Sequence, residues 1–127
     1  MIQKLITVQS ELKAPKNQRN SFGNYNYRSC EDILEAVKPL LYAQGLMLTL
    51  TDKLIANGDE FFIEATAIVT DGENKAVVTA QAGLDLKKKG MDKSQATGAA
   101  SSYARKYALN GMFLIDDTKD ADATNTH

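Results

Sequence analysis

Two short turn segments constrain this chain more than any other feature. Asn57-Gly58-Asp59 and Asp71-Gly72-Glu73-Asn74 each separate runs with strand chemistry. Before the first, Leu46, Leu48, Leu50 and Leu54 alternate with Met47, Thr49, Thr51 and Lys53. Phe61 to Thr70 and Lys75 to Leu84 follow, rich in β-branched and aromatic residues or alternating in polarity. Connections this short suit only antiparallel neighbours, because a parallel return needs a dozen or more residues. The middle of the chain is therefore predicted to be a three-stranded meander. A sheet of that size cannot bury its faces alone, so helices must cover one of them.

The flanking segments supply those helices. Ile2, Leu5, Ile6 and Leu12 fall at near-helical spacing over residues 1–13, and Pro15 ends the run. Ala14 to Tyr27 is a polar loop with aromatic residues set in it. Ser29-Cys30-Glu31-Asp32 resembles a capping box, with Asp in place of Glu. It opens a helix whose buried stripe is Ile33, Leu34, Val37, Leu40, Leu41 and Ala43, with Gly45 as terminator. Pro39 inside that pattern should kink or split it. A third helix is predicted from Lys93 to Met112, interrupted by Gly98 and stopped near Asn110-Gly111. The order is that of an α+β domain: a three-stranded antiparallel meander packed against helices, with N-terminal helices ahead of a β-β-β-α core.

Composition excludes several classes. Of 127 residues, 43% are apolar and 24% charged, as in ordinary globular chains, and the length suits one domain. No run of about 18 apolar residues exists to cross a membrane, and the first residues predict no secretory leader. Cys30 has no cysteine to pair with, and the single His127 leaves no zinc set and no His-based nucleophile. A reducing cytoplasm fits best. No G-x-x-x-x-G-K-[ST] is present to cradle ATP phosphates. Ser102 and Lys106 are four apart on a helix but lack an oxyanion element. The acidic residues Asp116, Asp117, Asp120 and Asp122 do not have calcium-loop spacing. Cys30 reads better as a small buried hydrophobe than as a reactive thiol. No cofactor and no catalytic set are expected.

Charge is nearly balanced, 15 basic against 16 acidic residues, but it is unevenly placed. Residues 1–115 hold 14 basic and 12 acidic side chains, a mildly basic body, and 116–127 form an acidic tail expected to be disordered. Three segments could meet an anionic polymer. On the third helix, Ala96, Ala100, Tyr103 and Tyr107 fall on one stripe, read as the core side, and Gly98, Ser101, Ser102 and Arg105 lie opposite, with Lys106 a step round. A guanidinium on a small-residue face could grip a phosphate, although an ordinary solvated face has the same pattern. Residues 13–28 carry Lys13, Lys16, Arg19 and Arg28 among Phe22, Tyr25 and Tyr27, with no acid between Glu11 and Glu31. Cations beside stacking rings suit sequence-tolerant single-strand binding, and the plainer reading is a loop anchored by its aromatics. Lys87, Lys88 and Lys89, with Lys93, precede the third helix, whose N-terminus favours an anion.

Taken together, Gly23-Asn24-Tyr25-Asn26-Tyr27-Arg28 leading to Glu31-Asp32-Ile33, and Gln95 to Ala99 through Ser102-Tyr103-Ala104-Arg105-Lys106-Tyr107-Ala108-Leu109 to Asp116-Asp117, closely resemble the Erf (essential recombination function) family of phage single-strand annealing proteins. The second motif is the specific one, and the resemblance covers most of residues 1–122. It implies a β-β-β-α core related to the broader annealing superfamily. It further implies single-stranded DNA binding, ATP-independent annealing of complementary strands, and assembly into rings or larger homo-oligomers in the host cytoplasm. A single-strand-binding protein is a candidate further partner. By the same resemblance Arg105 and Lys106 match a basic pair lining the DNA groove, and Arg28 matches the basic position after Tyr-x-Tyr. Lys87, Lys88, Lys89, Lys93, Arg19, Tyr25 and Tyr27 join them as expected DNA contacts on charge and ring chemistry alone. Thr118 and Lys119 break what is often an unbroken acidic run in the family, and the chain's end reads like the start of a linker. The rival reading is a non-catalytic oligomeric interaction module without DNA binding, and a more distant one is a metal enzyme using the tail. The outer face of the last helix could serve DNA or a neighbouring subunit.

Overall fold

The computed structural model describes residues 1–87 and 89–115. Helix α1 (Ile2–Glu11) is followed by strands β1 (Gln18–Asn20) and β2 (Tyr25–Tyr27), helix α2 (Cys30–Gln44), strands β3 (Met47–Asn57), β4 (Glu60–Thr70) and β5 (Lys75–Leu84), and helix α3 (Lys93–Phe113). The three long strands form an antiparallel sheet in the order β3-β4-β5, the meander expected from the turns. Gly58 and Gly72 hold positive φ in those turns, the conformation a side chain would disfavour. The α+β architecture follows as read.

Register explains where the core lies. Leu50 pairs with Ala67 and Ala67 with Val78, so Leu48, Leu50, Ala65, Ala67, Val69, Val78 and Ala80 share one face of the sheet. Helix α3 lies across β4 and β5 on that face, while α2 packs beside it and reaches β3. Ala96, Ala100, Ala104 and Ala108, four apart, are all buried against it. Both layers present methyl groups, so they close tightly and leave no room for rings. Phe113, Leu109 and Met112 then join Ile33, Val37 and Val8 where the helices meet.

Four local expectations are corrected. The polar loop contains a two-stranded hairpin, β1-β2, with Gln18 opposite Tyr27 and Asn20 opposite Tyr25. Helix α2 is not split by Pro39, which is exposed, so water can replace the backbone bond that proline removes. Gly98 does not interrupt α3, and the helix runs past Gly111 to Phe113. Gly111 serves close approach: a Cβ there would come within 3.1 Å of Val78 Cγ1 on β5. Finally, Tyr103 and Tyr107 do not face the core. They are 55% and 46% exposed, and the helix is turned by roughly a quarter turn relative to the expected stripe.

Candidate nucleic-acid interface

That rotation builds a cleft. The α1–α2 connection is anchored from three directions. Ser29 Oγ accepts from Asp32 N (3.1 Å) and Asp32 accepts from Ser29 N (2.9 Å), the expected capping box. Gln18 Nε2 also donates to Asp32, at 3.3 Å, which ties β1 to the start of α2. The backbone N–H of Ser29 is the main cause of an Asp32 carboxyl held below its usual range, with the Ser29 hydroxyl and Gln18 adding to it. Arg28 Nε donates to Ala14 O at 2.7 Å. These contacts stand the hairpin beside the outer side of α3.

Between hairpin and helix lies a cleft of about 470 Å³. Tyr25, Tyr27 and Arg28 line one side, and Ser102, Tyr103, Lys106 and Tyr107 the other. Among the described residues, two cations and no carboxylate line it. Lys106 is only 8% exposed, and its Nζ sits 5.7 Å from the Tyr27 ring centroid, a cation held over an aromatic face. Cys30 is part of the wall but buried, and burial, followed by the Glu31 charge, raises its thiol pKa. It is a packed neutral group, as the sequence suggested.

The other expected DNA contacts are elsewhere. Arg105 does not line the cleft. Its Nε and Nη2 donate to Asp52 Oδ1 and Oδ2 on β3 at 3.0 and 3.1 Å, and Ser101 Oγ donates to Oδ2 at 2.5 Å. A paired carboxylate thus occupies the guanidinium that was expected to hold a phosphate, and Lys106 is the member of the basic pair that reaches the cleft. Arg19 faces away on the far side of the hairpin, hydrogen-bonded to Asn24 and Asn26. Lys87 borders a different hollow with Asp59, Glu60 and Asp85. Lys89 and Lys93 are exposed, and the α3 N-terminus is already capped by Asp92, whose Oδ1 accepts from Gln95 N at 2.8 Å. Lys88 and the acidic residues Asp116, Asp117, Asp120 and Asp122 lie outside the described residues.

Two features of this region escaped the sequence reading. Helical spacing puts Tyr103 and Tyr107 on one stripe with Ala96 and Ala100, but the buried row continues through Ala104 and Ala108 and leaves both rings at the cleft. Asp52 left a legible trace: it breaks the apolar row Leu48, Leu50, Leu54 with an acid on the helix-facing side. Burial alone would raise the Asp52 pKa, but hydrogen bonds from Arg105 and Ser101 outweigh it and lower it. Because the folded value is depressed, the stabilisation is complete at neutral pH and disappears as pH falls through that lowered value. Asp52→Asn should therefore cost about 1 kcal/mol at neutral pH, limited by solvent screening at a guanidinium side chain 37% exposed. Urea unfolding should show the difference from the parent chain shrinking in acid. A gap that stays constant with pH contradicts the assignment.

Comparison with known proteins decides the family. The sequence profile described as ERF superfamily matches residues 1–127. The chain belongs to the ERF superfamily. This ERF chain is 59% identical over 119 residues to the "Essential recombination function protein" of Salmonella phage P22. The match covers 94% of this chain and 57% of the phage protein, so the ERF chain spans little more than half that relative's length. No solved structure matches it. Among the described residues of the ERF chain there is no cluster of three metal-ligating side chains, and no helix is long and apolar enough to cross a membrane.

Proposed function

We propose that this chain binds single-stranded DNA and promotes ATP-independent annealing of complementary strands in phage recombination, acting in the host cytoplasm without catalysis. The observation that carries the reading is the cleft itself, where Arg28 and Lys106 sit among tyrosines. Cations neutralise phosphates and rings accept bases, a combination that tolerates any sequence. Membership of the ERF superfamily and the name of the P22 relative support a recombination role. A body with 14 basic and 12 acidic residues neutralises few phosphates per copy, so strong binding requires repetition. A homo-oligomer, a ring or a larger assembly, supplies that through effective concentration. A single-strand-binding protein is a fitting second partner for such an assembly.

Fluorescence anisotropy of a labelled oligonucleotide in EDTA, without nucleotide, tests this. Binding is expected, with log affinity falling linearly as log salt rises, and complementary strands should anneal faster with the protein present. Light scattering after size exclusion should report many copies. Absence of binding at low salt sinks the reading in favour of an interaction module, and EDTA-sensitive turnover of the DNA sinks it in favour of a metal enzyme.

A further inference from the structure

We propose that the cleft is a base pocket: it receives an unstacked nucleobase of single-stranded DNA between the hairpin pair Tyr25–Tyr27 and the helix pair Tyr103–Tyr107. The proposal rests on the DNA-binding reading above and specifies what part of the strand the cleft holds.

Four of the chain's five tyrosines line this one cleft, brought from segments far apart in sequence. Each pair is tilted, with centroids 6.2 Å apart at 56° on the hairpin and 6.1 Å apart at 34° on the helix. Neither pair forms a closed stack, so ring faces other than the Tyr27 face under Lys106 remain available. Tyr103 and Tyr107 are half exposed although the core closes with alanines beside them, and rings of that size left in water mark a binding surface more than a packing need. The hairpin holds its side rigidly. Asn20 Nδ2 donates to Tyr25 Oη at 3.0 Å, and Asn20 Oδ1 accepts from Phe22 N and Gly23 N at 2.9 and 3.1 Å. Gly23 lies directly against the Tyr25 ring, which a Cβ there would overlap. A platform fixed by its own hydrogen bond loses little freedom when a base arrives.

The ligand class follows from the walls. The volume of about 470 Å³ falls in the range of small-ligand sites, about 300–1,000 Å³. Among the described lining residues the charged side chains are the cations Arg28 and Lys106, which suits a group flanked by phosphates, and Lys106 at 5.7 Å from the Tyr27 centroid places positive charge at the depth where the sugar-phosphate chain would turn in. Aromatic stacking suits every base, so the pocket distinguishes unpaired strands from duplex without reading sequence. Base-paired DNA would first have to unstack.

The test uses the full chain and two labelled oligonucleotides of equal length, one oligo-dT and one with the same phosphates but abasic sugars. Oligo-dT should bind about ten-fold or more tightly than the abasic strand at fixed salt, with similar salt slopes. The chain has no tryptophan, so its intrinsic emission comes from tyrosine and should be quenched by oligo-dT and not by the abasic strand. Tyr103→Ala with Tyr107→Ala should remove the preference, and the two Phe replacements should keep it. Equal affinity for both strands overturns the base pocket and leaves phosphate-only binding standing. No affinity for either overturns the DNA reading as well. Saturable binding of an aromatic-rich peptide with neither oligonucleotide bound would also overturn both, assigning the cleft to a protein partner.

Discussion

Lys106→Met should weaken oligo-dT binding by about a hundred-fold or more while leaving the circular dichroism spectrum unchanged. The long apolar stem of Met fills much of the lysine's volume, so the wall of the cleft survives and only the charge leaves. A charge-assisted contact to a phosphate is worth about 1.5–3 kcal/mol, and an oligomer multiplies the loss at every copy the strand touches. The slope of log affinity against log salt should fall by about 0.7 for each phosphate contact removed. Arg105→Met is the informative contrast. Arg105 is bound to Asp52 outside the cleft, so its loss should appear in unfolding and barely in the salt slope. Identical salt slopes for Lys106→Met and the parent chain would mean that the ammonium does not meet the phosphates.

Ala104→Leu should destabilise the fold strongly. Ala104 is fully buried in the alanine row that lies against β4 and β5, where the opposing residues include Ala65 and Ala67. A leucine there forces the helix off the sheet, an overpacking cost of about 1–3 kcal/mol or more. For a domain of this size the melting temperature should drop by roughly 10 °C. Ala99→Leu provides the control, because Ala99 is only half-buried and lines the cleft. It should change stability by under about 1 kcal/mol, as surface substitutions do, while filling the base pocket. If Ala99→Leu proved as destabilising as Ala104→Leu, the assigned orientation of α3 would be wrong. Differential scanning calorimetry of the two variants decides it.

What the residues determine locally was legible without coordinates. Asn57-Gly58-Asp59 and the Asp71–Asn74 turn dictate hairpin connections, Ser29 and Asp32 cap α2, and Gly45 ends it in the left-handed region, because each depends on neighbours a few positions away. Tyr25, Tyr27 and Arg28 stand out in the sequence as a basic and aromatic segment without acids, and Lys106 through the motif on the third helix. The facing of α3 was decided only in three dimensions. A helix buries whichever side fits the surface opposite it, and a sheet face paved with alanines selects the Ala96–Ala108 row over the larger tyrosines. The same long-range register carries Asp52 to Arg105, 53 residues away, making a strut between helix and sheet. Periodicity tells which residues share a side of a helix, and only the partner surface tells which side goes in.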